Sequence, residues 1–246
     1  MKYILSSRKC LPSSRLLRDA IQPMYRETIK VTVRQEKITN SNLLFAYGAC
    51  HPSNPLNSTR FISTSANKLR FSNLLLSNGF YTPEFINNRR PMDSEYPVLI
   101  RKTLTGYGGQ GIVLCTNSAE FDSRWSSAYY WTVFVHTAFE LRVHVFEGEV
   151  IKIFKKECSE GEEVSNPIRN VGHGYHFSVR DISKYSKVIE LVNKLNSVIN
   201  GTHYGLDLGY DSNRKEYFVF ECNTGCGLNT ETAQLYADLI YSKLSS

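Results

Sequence analysis

Two stretches far apart in the sequence hold residues suited to polyphosphate chemistry. In Tyr96-Pro97-Val98-Leu99-Ile100-Arg101-Lys102-Thr103-Leu104-Thr105-Gly106-Tyr107-Gly108-Gly109-Gln110-Gly111, a lysine ends an apolar run and a glycine loop follows. Gly106, Gly108, Gly109 and Gly111 permit positive φ and close approach of backbone N–H groups to phosphate oxygens, and Lys102 offers the same phosphates a point charge. The loop lacks the G-K-[ST] ending of a P-loop and continues into the strand-like Ile112-Val113-Leu114-Cys115, so P-loop and Rossmann folds both fit poorly. Arg101 and Lys102 point to opposite faces if the strand alternates, and the loop spacing favours Lys102 as the phosphate cation.

The second stretch pairs Gly205-Leu206-Asp207 with Val219-Phe220-Glu221-Cys222-Asn223. With a period of two, Glu221 and Asn223 share a face at a strand end, and Asp207 on the preceding strand completes three hard oxygen ligands. Such a set suits magnesium bridging nucleotide phosphates. The apolar Phe218-Val219-Phe220 marks a buried strand, and a buried carboxylate needs a partner. Together the two stretches read as a nucleotide-triphosphate enzyme.

Elements that would position these residues follow from periodicity and turn signals. Strands are expected at Tyr3–Leu5, Lys30–Val33, Leu43–Tyr47, Val98–Arg101, Ile112–Cys115, Trp131–Val135, Leu141–Phe146, Val150–Lys155, Tyr204–Gly209 and Tyr217–Cys222. A tight Glu147-Gly148 hairpin joins the seventh and eighth of them. Helices are expected at Ser13–Ile21, from a Ser65 cap to just before Gly79, at Ser183–Ile199 and at Thr230–Leu244. The pattern is α+β with antiparallel sheet in the later parts, and the turn-rich Asn54-Pro55-Leu56-Asn57-Ser58 marks a lobe boundary. Three lobes result: 1–62, 63–130 and 131–246.

The chain of 246 residues is 41% hydrophobic and 12% aromatic, an ordinary globular composition large enough for a full core. No apolar stretch approaches the roughly 20 residues of a bilayer span, and the start lacks the longer apolar run of a secretion signal, so a cytoplasmic protein without membrane contact is expected. Six scattered cysteines read as buried thiols, and Cys222 and Cys226 lack a second pair at zinc spacing. The net charge of +6 includes an N-terminal excess at Arg8, Lys9, Arg15, Arg18, Arg26, Lys30 and Arg34. That face keeps nucleic acid or a modified nucleotide in view as a partner.

Taken in order, the motifs resemble the ATP-grasp superfamily of carboxylate-amine ligases, particularly its glutamate-ligase and phage COOH-NH2 ligase branches. Asn67-Lys68-Leu69 through Gly79 and Pro83 resembles the family's "D-K-L…G-I-P-x-P" helix, and Val98 to Gly111 its "V-V-V-K-P…G-x-G-G-x-G" strand and loop. Phe139 to Phe146 is similar to "E-Y-R-V-H-V-F", Gly205-Leu206-Asp207 to "G-V-D", and Phe220 to Thr224 to "L-E-V-N-T".

The resemblance implies an ATP-grasp fold: two α+β lobes with antiparallel sheets clasping ATP, preceded by a small α/β pre-ATP-grasp lobe. It makes Lys68, Lys102, Gly106, Gly108, Gly109, Gln110, Gly111 and Asn170 nucleotide-binding residues, Lys102 and the glycine loop on the phosphates, with Val133, Phe134 and Val135 at the adenine hinge. Asp207, Glu221 and Asn223 would hold one or two Mg²⁺, with Mn²⁺ as substitute, and Arg142, Arg169 and Lys155 would serve catalysis. The implied reaction activates a carboxylate as an acyl-phosphate and joins it to an amine, the substrates being small molecules or peptides. A kinase acting on a hydroxyl, or a non-catalytic nucleotide- or nucleic-acid-binding protein, would use the same frame. His144 and His173 are candidate proton acceptors, and a homo-oligomer is expected by analogy.

Overall fold

Three short apolar strands pair in parallel at the start of the chain. β1 (Lys2–Ser6), β2 (Ile29–Thr32) and β3 (Leu43–Tyr47) take the order β2-β1-β3, with α1 (Leu11–Ile21) in the crossover between the first two. Leu17 and Ile21, one helical turn apart, set a stripe of α1 against Ile4, Phe45 and Tyr47. The same cluster contains Ala233, Tyr236, Ala237 and Ile240 of the last helix, α6 (Thr230–Ser245), so the first lobe shares its core with the final segment of the chain. The computed structural model from which these contacts are read describes residues 1–106, 109–158, 169 and 174–246.

Two helices follow where one was expected. α2 (Thr59–Ala66) starts at Ser58, whose Oγ accepts from the Phe61 N–H at 3.1 Å, and α3 (Lys68–Ser77) starts at Asn67, whose Oδ1 accepts from the Arg70 N–H at 3.1 Å. Asn67 is therefore the cap, and Ser65, expected in that role, lies buried inside α2. The α2 sequence is rich in β-branched and hydroxyl residues of low helix propensity; burial of Phe61 and Ile62 holds it instead.

The middle sheet is antiparallel, β5-β4-β6, built from β4 (Val98–Arg101), β5 (Ile112–Cys115) and β6 (Tyr130–Val133). Val98, Ile100, Cys115 and Trp131 form its core face with Phe121 of α4 (Ser118–Trp125), a helix that the sequence pattern did not reveal. Because β6 pairs with β4, this sheet runs past residue 130 to Val133.

The last sheet carries β7 (Phe139–Phe146), β8 (Glu149–Cys158), β9 (Tyr175–Arg180), β10 (His203–Asp211) and β11 (Glu216–Asn223) in the antiparallel order β11-β10-β7-β8-β9. The β7–β8 turn has Glu147 at φ 47° and Gly148 at φ 87°, the paired positive angles of a two-residue hairpin. β9 was not anticipated, and α5 (Ser186–Asn196) is shorter than the helix expected there, a 3-10 turn at Ile182–Lys184 preceding it. One face of the sheet, with Leu141, Val143, Val145, Ile153, Leu206, Leu208 and Val219, packs on Val188, Val192 and Leu195 of α5 and on Phe61, Phe71 and Leu75 of α2 and α3. Alternation then turns Glu140, Arg142, Lys156, Asp207 and Glu221 to the opposite face.

The first lobe is pinned to the last sheet through buried polar contacts. Asn57 Oδ1 accepts from the N–H groups of Thr202 at 2.9 Å and His203 at 3.2 Å, while its amide donates to His203 O at 2.7 Å and meets His203 Nδ1 at 3.2 Å. His203 Nε2 is 3.1 Å from the Thr224 carbonyl, which only accepts, and the ring stacks on Tyr47 at 5.3 Å. Nδ1 faces a donor, so the neutral ring with its proton on Nε2 is the form that fits. Burial pushes the His203 pKa down to about 4 and that of His144, buried beside Arg142 and Lys152, down to about 3. Both values lie below the ordinary one near 6.5, so the unfolded chain binds more protons as pH falls below 6.5, and native stability falls with it. Each histidine should cost up to about 1.4 kcal/mol per pH unit across that window. Denaturant unfolding between pH 7 and 5 should show this loss, and His203→Gln should flatten the slope; an unchanged slope would show that His203 is not held neutral.

Candidate active site

The charged face of the last sheet is organised by register. Glu221 on β11 lies opposite Asp207 on β10, and Asp207 opposite Arg142 on β7, so three strands put their side chains in one row. Arg142 grips Asp207 with two N–H groups, Nε to Oδ1 and Nη2 to Oδ2, the latter at 2.8 Å. Lys156 of β8 stands 3.7 Å from Asp207 and 3.0 Å from Glu140. Burial alone would raise the Asp207 carboxyl, but Arg142 and Lys156 hold it well below the usual range. Burial likewise opposes charge on Arg142 and Lys156, and the facing carboxylates raise both pKa values in spite of it.

Glu221 is held from two sides. Its Oε1 accepts from the Asn223 amide at 2.9 Å, and its Oε2 pairs with Lys68 at the N-terminus of α3. Burial would raise its pKa, and Lys68 chiefly reverses that to a net lowering. The Glu221–Asn223 hydrogen bond follows from their shared face. A bulge between Asp207 and Leu208 leaves Phe220 as the extra residue of β11, and its ring crosses Gly209, where a Cβ would sit 2.4 Å from it. Phe220 is a residue of this face that period-two reading hides, because the bulge interrupts the alternation.

The middle sheet supplies the facing wall. Ile100 enters its core, so Arg101 turns toward Glu221, and Lys102 turns to the outer side, where its charge acts on Cys115. Arg101, and not Lys102, is thus the cation of this strand end that lies on the side of Glu221. The physical reason is that the strand ends at Arg101, and core packing of Val98 and Ile100 fixes its phase. The Lys102 N–H donates to Gly111 O at 2.8 Å and closes the glycine loop at its base. Gly109 at φ 80° and Gly111 at φ 71° need the left-handed region; Gly106 packs so closely that a Cβ would lie 2.8 Å from Thr103 Oγ1, and Gln110 O lies 3.5 Å from that same oxygen. Gly108 lies outside the described residues, as do Asn170 and His173.

Other expected site residues are spread more widely. Val133 ends β6, and the Phe134 N–H donates to Pro97 O at 3.0 Å, so Val133, Phe134 and Val135 lead from the middle sheet toward β7. Arg169 donates from Nη2 to Thr137 O at 2.9 Å and lies 4.0 Å from Glu140. Lys155 shares the face of Leu141 and Ile153; it pairs with Glu157 at 3.2 Å and lies over Phe139, away from Arg142 and Asp207. Its neighbour Lys156 takes the inward place, and extending the alternation from buried Ile153 would have found it. His144 is buried, with Nδ1 3.2 Å from the Tyr236 hydroxyl.

The donor chemistry of the row suits a hard cation. Among the described residues no three His, Cys, Asp or Glu side chains converge on a metal position, and Asp207, Glu221 and Asn223 offer two carboxylates and an amide oxygen. Arg142, Lys156 and Lys68 now balance those carboxylates, so a cation entering there takes over charge that these side chains supply. All six cysteines are free thiols, and Cys10, Cys115, Cys222 and Cys226 are buried. No helix among the described residues is long and apolar enough to cross a membrane. Arg8, Lys9, Arg15, Arg26, Lys30 and Arg34 are exposed on the first lobe.

No family model matches the sequence, and no curated protein is significantly similar to it. Solved structures do align over nearly the whole chain. D-alanine–D-alanine ligase from Bacillus anthracis complexed with ATP superposes with a TM-score of 0.71 at 13% identity, over 99% of this chain and 93% of that one. The ATP-grasp ligase PsnB complexed with a minimal precursor, Mg and ADP gives 0.66 at 11% identity, over 98% and 96%. A RimK domain ATP-grasp protein from Sphaerobacter thermophilus gives 0.66 at 13% identity, over 97% and 99%. Two antiparallel sheets joined by residues 134–138 and preceded by a parallel three-stranded lobe are therefore the ATP-grasp fold.

Proposed function

We propose that this protein is an ATP- and Mg²⁺-dependent ligase that activates a carboxylate as an acyl-phosphate and joins it to an amine, releasing ADP and phosphate. The observation that carries this reading is the row Glu221–Asp207–Arg142 on one sheet, with Arg101 of the other sheet within reach of the Glu221 charge. The D-alanine–D-alanine ligase, complexed with ATP, and PsnB, complexed with Mg and ADP, support it by their likeness in fold. In this reading three lobes act together, the second and third divided within residues 134–138.

Mg²⁺ held by Asp207, Glu221 and Asn223 would offset phosphate charge in the transition state. The chain's own residues do the rest. Arg101 and Lys68 bring positive charge to the phosphate chain from the two sides of Glu221, and the loop around Gly109 and Gly111 closes over its far end. Arg142 and Arg169 draw the substrate carboxylate to its line of attack, opposing the repulsion between two anions. A carboxylate oxygen forms the new bond to the γ-phosphorus as ADP leaves; an amine then attacks the acyl carbon, phosphate departs, and the amine proton passes to solvent. The substrates are a small-molecule or peptide carboxylate and an amine.

Release of ADP and phosphate across a panel of amino acids and short peptides, with mass detection of an amide, tests this reading. A stable phosphorylated product without free phosphate would make the protein a kinase instead. Within an active assay, Glu221→Gln should lower turnover at least about a hundredfold with the fold kept, since Glu221 is partly exposed. Asp207→Asn should do the same and also destabilise by about 3–5 kcal/mol, because it leaves Arg142 buried without its carboxylate. Arg101→Gln should cost far more in kcat/KM for ATP than Lys102→Gln; the reverse ranking would return the phosphate position to Lys102.

A further inference from the structure

Two polar groups on the cleft wall of the middle sheet have no partner among the described residues. They are Arg101 Nε and the Tyr130 hydroxyl, both inaccessible to solvent. Arg101 and Tyr130 are cross-strand partners in the β4–β6 register, so their side chains leave the same face side by side. Tyr130 is completely buried, and Phe85 stacks on its ring at 4.3 Å and 13°, which holds the hydroxyl in one direction. Both groups feel the charge of Glu221.

Glu221 does not satisfy them: its hydrogen bonds are to Lys68 and Asn223, and neither Arg101 Nε nor the Tyr130 hydroxyl donates to it. Among the described residues no carboxylate, Glu221 included, pairs with Arg101 at ion-pair distance. Burial lowers the Arg101 pKa and raises that of Tyr130 to about 12, so at neutral pH both are donors. A desolvated cation beside a desolvated hydroxyl, each with a spare N–H or O–H, is costly unless an anion arrives to accept from both.

We infer that Tyr130 is a nucleotide-binding residue, its hydroxyl and the Arg101 guanidinium forming a two-donor seat for a phosphate oxygen of the nucleotide. This rests on the ATP reading above and adds a residue to it from the middle sheet. The seat recognises phosphate and not the nucleoside, since both donors need an acceptor oxygen carrying negative charge. Phe85 acts through Tyr130 as a positioning residue.

Tyr130→Phe keeps the ring and the stack on Phe85 and removes only the hydroxyl. If the hydroxyl serves phosphate, the variant without nucleotide should melt at the same temperature as the wild type or higher, because an unpaired buried group has gone. Its Kd for ADP with Mg²⁺ should rise about tenfold, as for loss of a hydrogen bond to a charged group, while its Kd for adenosine stays unchanged. A lower melting temperature with unchanged ADP affinity would make Tyr130 structural and overturn the inference. If wild type binds ADP and the variant binds it equally, the inference fails alone; if wild type does not bind ADP, the ATP reading fails and takes the inference with it.

Discussion

A carboxylate removed from water must be given a cation, and the site of this protein is built around that requirement at Asp207. The residue is 6% exposed on an inner strand of a five-stranded sheet, and Arg142 on the adjacent strand and Lys156 on the strand beyond it supply the compensating charge. Those two cations are themselves desolvated and remain charged because Asp207 and Glu140 face them. The charged face therefore stands or falls as a network. In the proposed function, a ligand that brings its own charge would enter a place where these carboxylates are already paired, and binding would be an exchange of partners. That arrangement orients the groups before the ligand arrives.

The same logic ties the lobes together. Lys68 reaches from the start of α3 to Glu221, linking a helix of the second lobe to the last sheet. Its N–H donates to Leu104 O at 3.1 Å, so the turn after β4 is tethered to the same helix end. At the other side, Asn57 satisfies backbone groups of β10 through a single amide, and α6 fills the core of the first lobe. The first lobe and the helices α2 and α3 bury apolar surface against the last part of the chain, while the middle sheet has a core of its own. The walls of the cleft are thus held at their spacing by packing and by paired charge.

Much of the frame was legible in the sequence. Period-two alternation located β4, β5, β7, β10 and β11, and it put Glu221 with Asn223 on one face, where their hydrogen bond now lies. The elements that escaped are those with weak local signals. α2 is made of poor helix formers held by Phe61 and Ile62; α4 is short; β9 alternates without a strong apolar face and relies on pairing with β8. Lys155 and Lys156 are adjacent and chemically alike, so choosing between them needed the strand phase that Ile153 sets from the core. Phe220 lay beyond reach because a bulge breaks the period it would be read from.

What the sequence by itself determined is the inventory and its order: a cation at the end of an apolar strand, a glycine loop, two carboxylates and an amide on late strands, and an α+β pattern to carry them. These follow from local rules, in which side-chain chemistry, strand period and the conformational freedom of glycine act over a few residues. Only the tertiary structure decided which cation faces which charge. Arg101 and not Lys102 turns to the side of Glu221, because Val98 and Ile100 must lie in the core and the phase of β4 follows from them. Arg142 meets Asp207 because β7 and β10, distant in sequence, pair in that register and in no other that buries Leu141, Val143, Leu206 and Leu208 together.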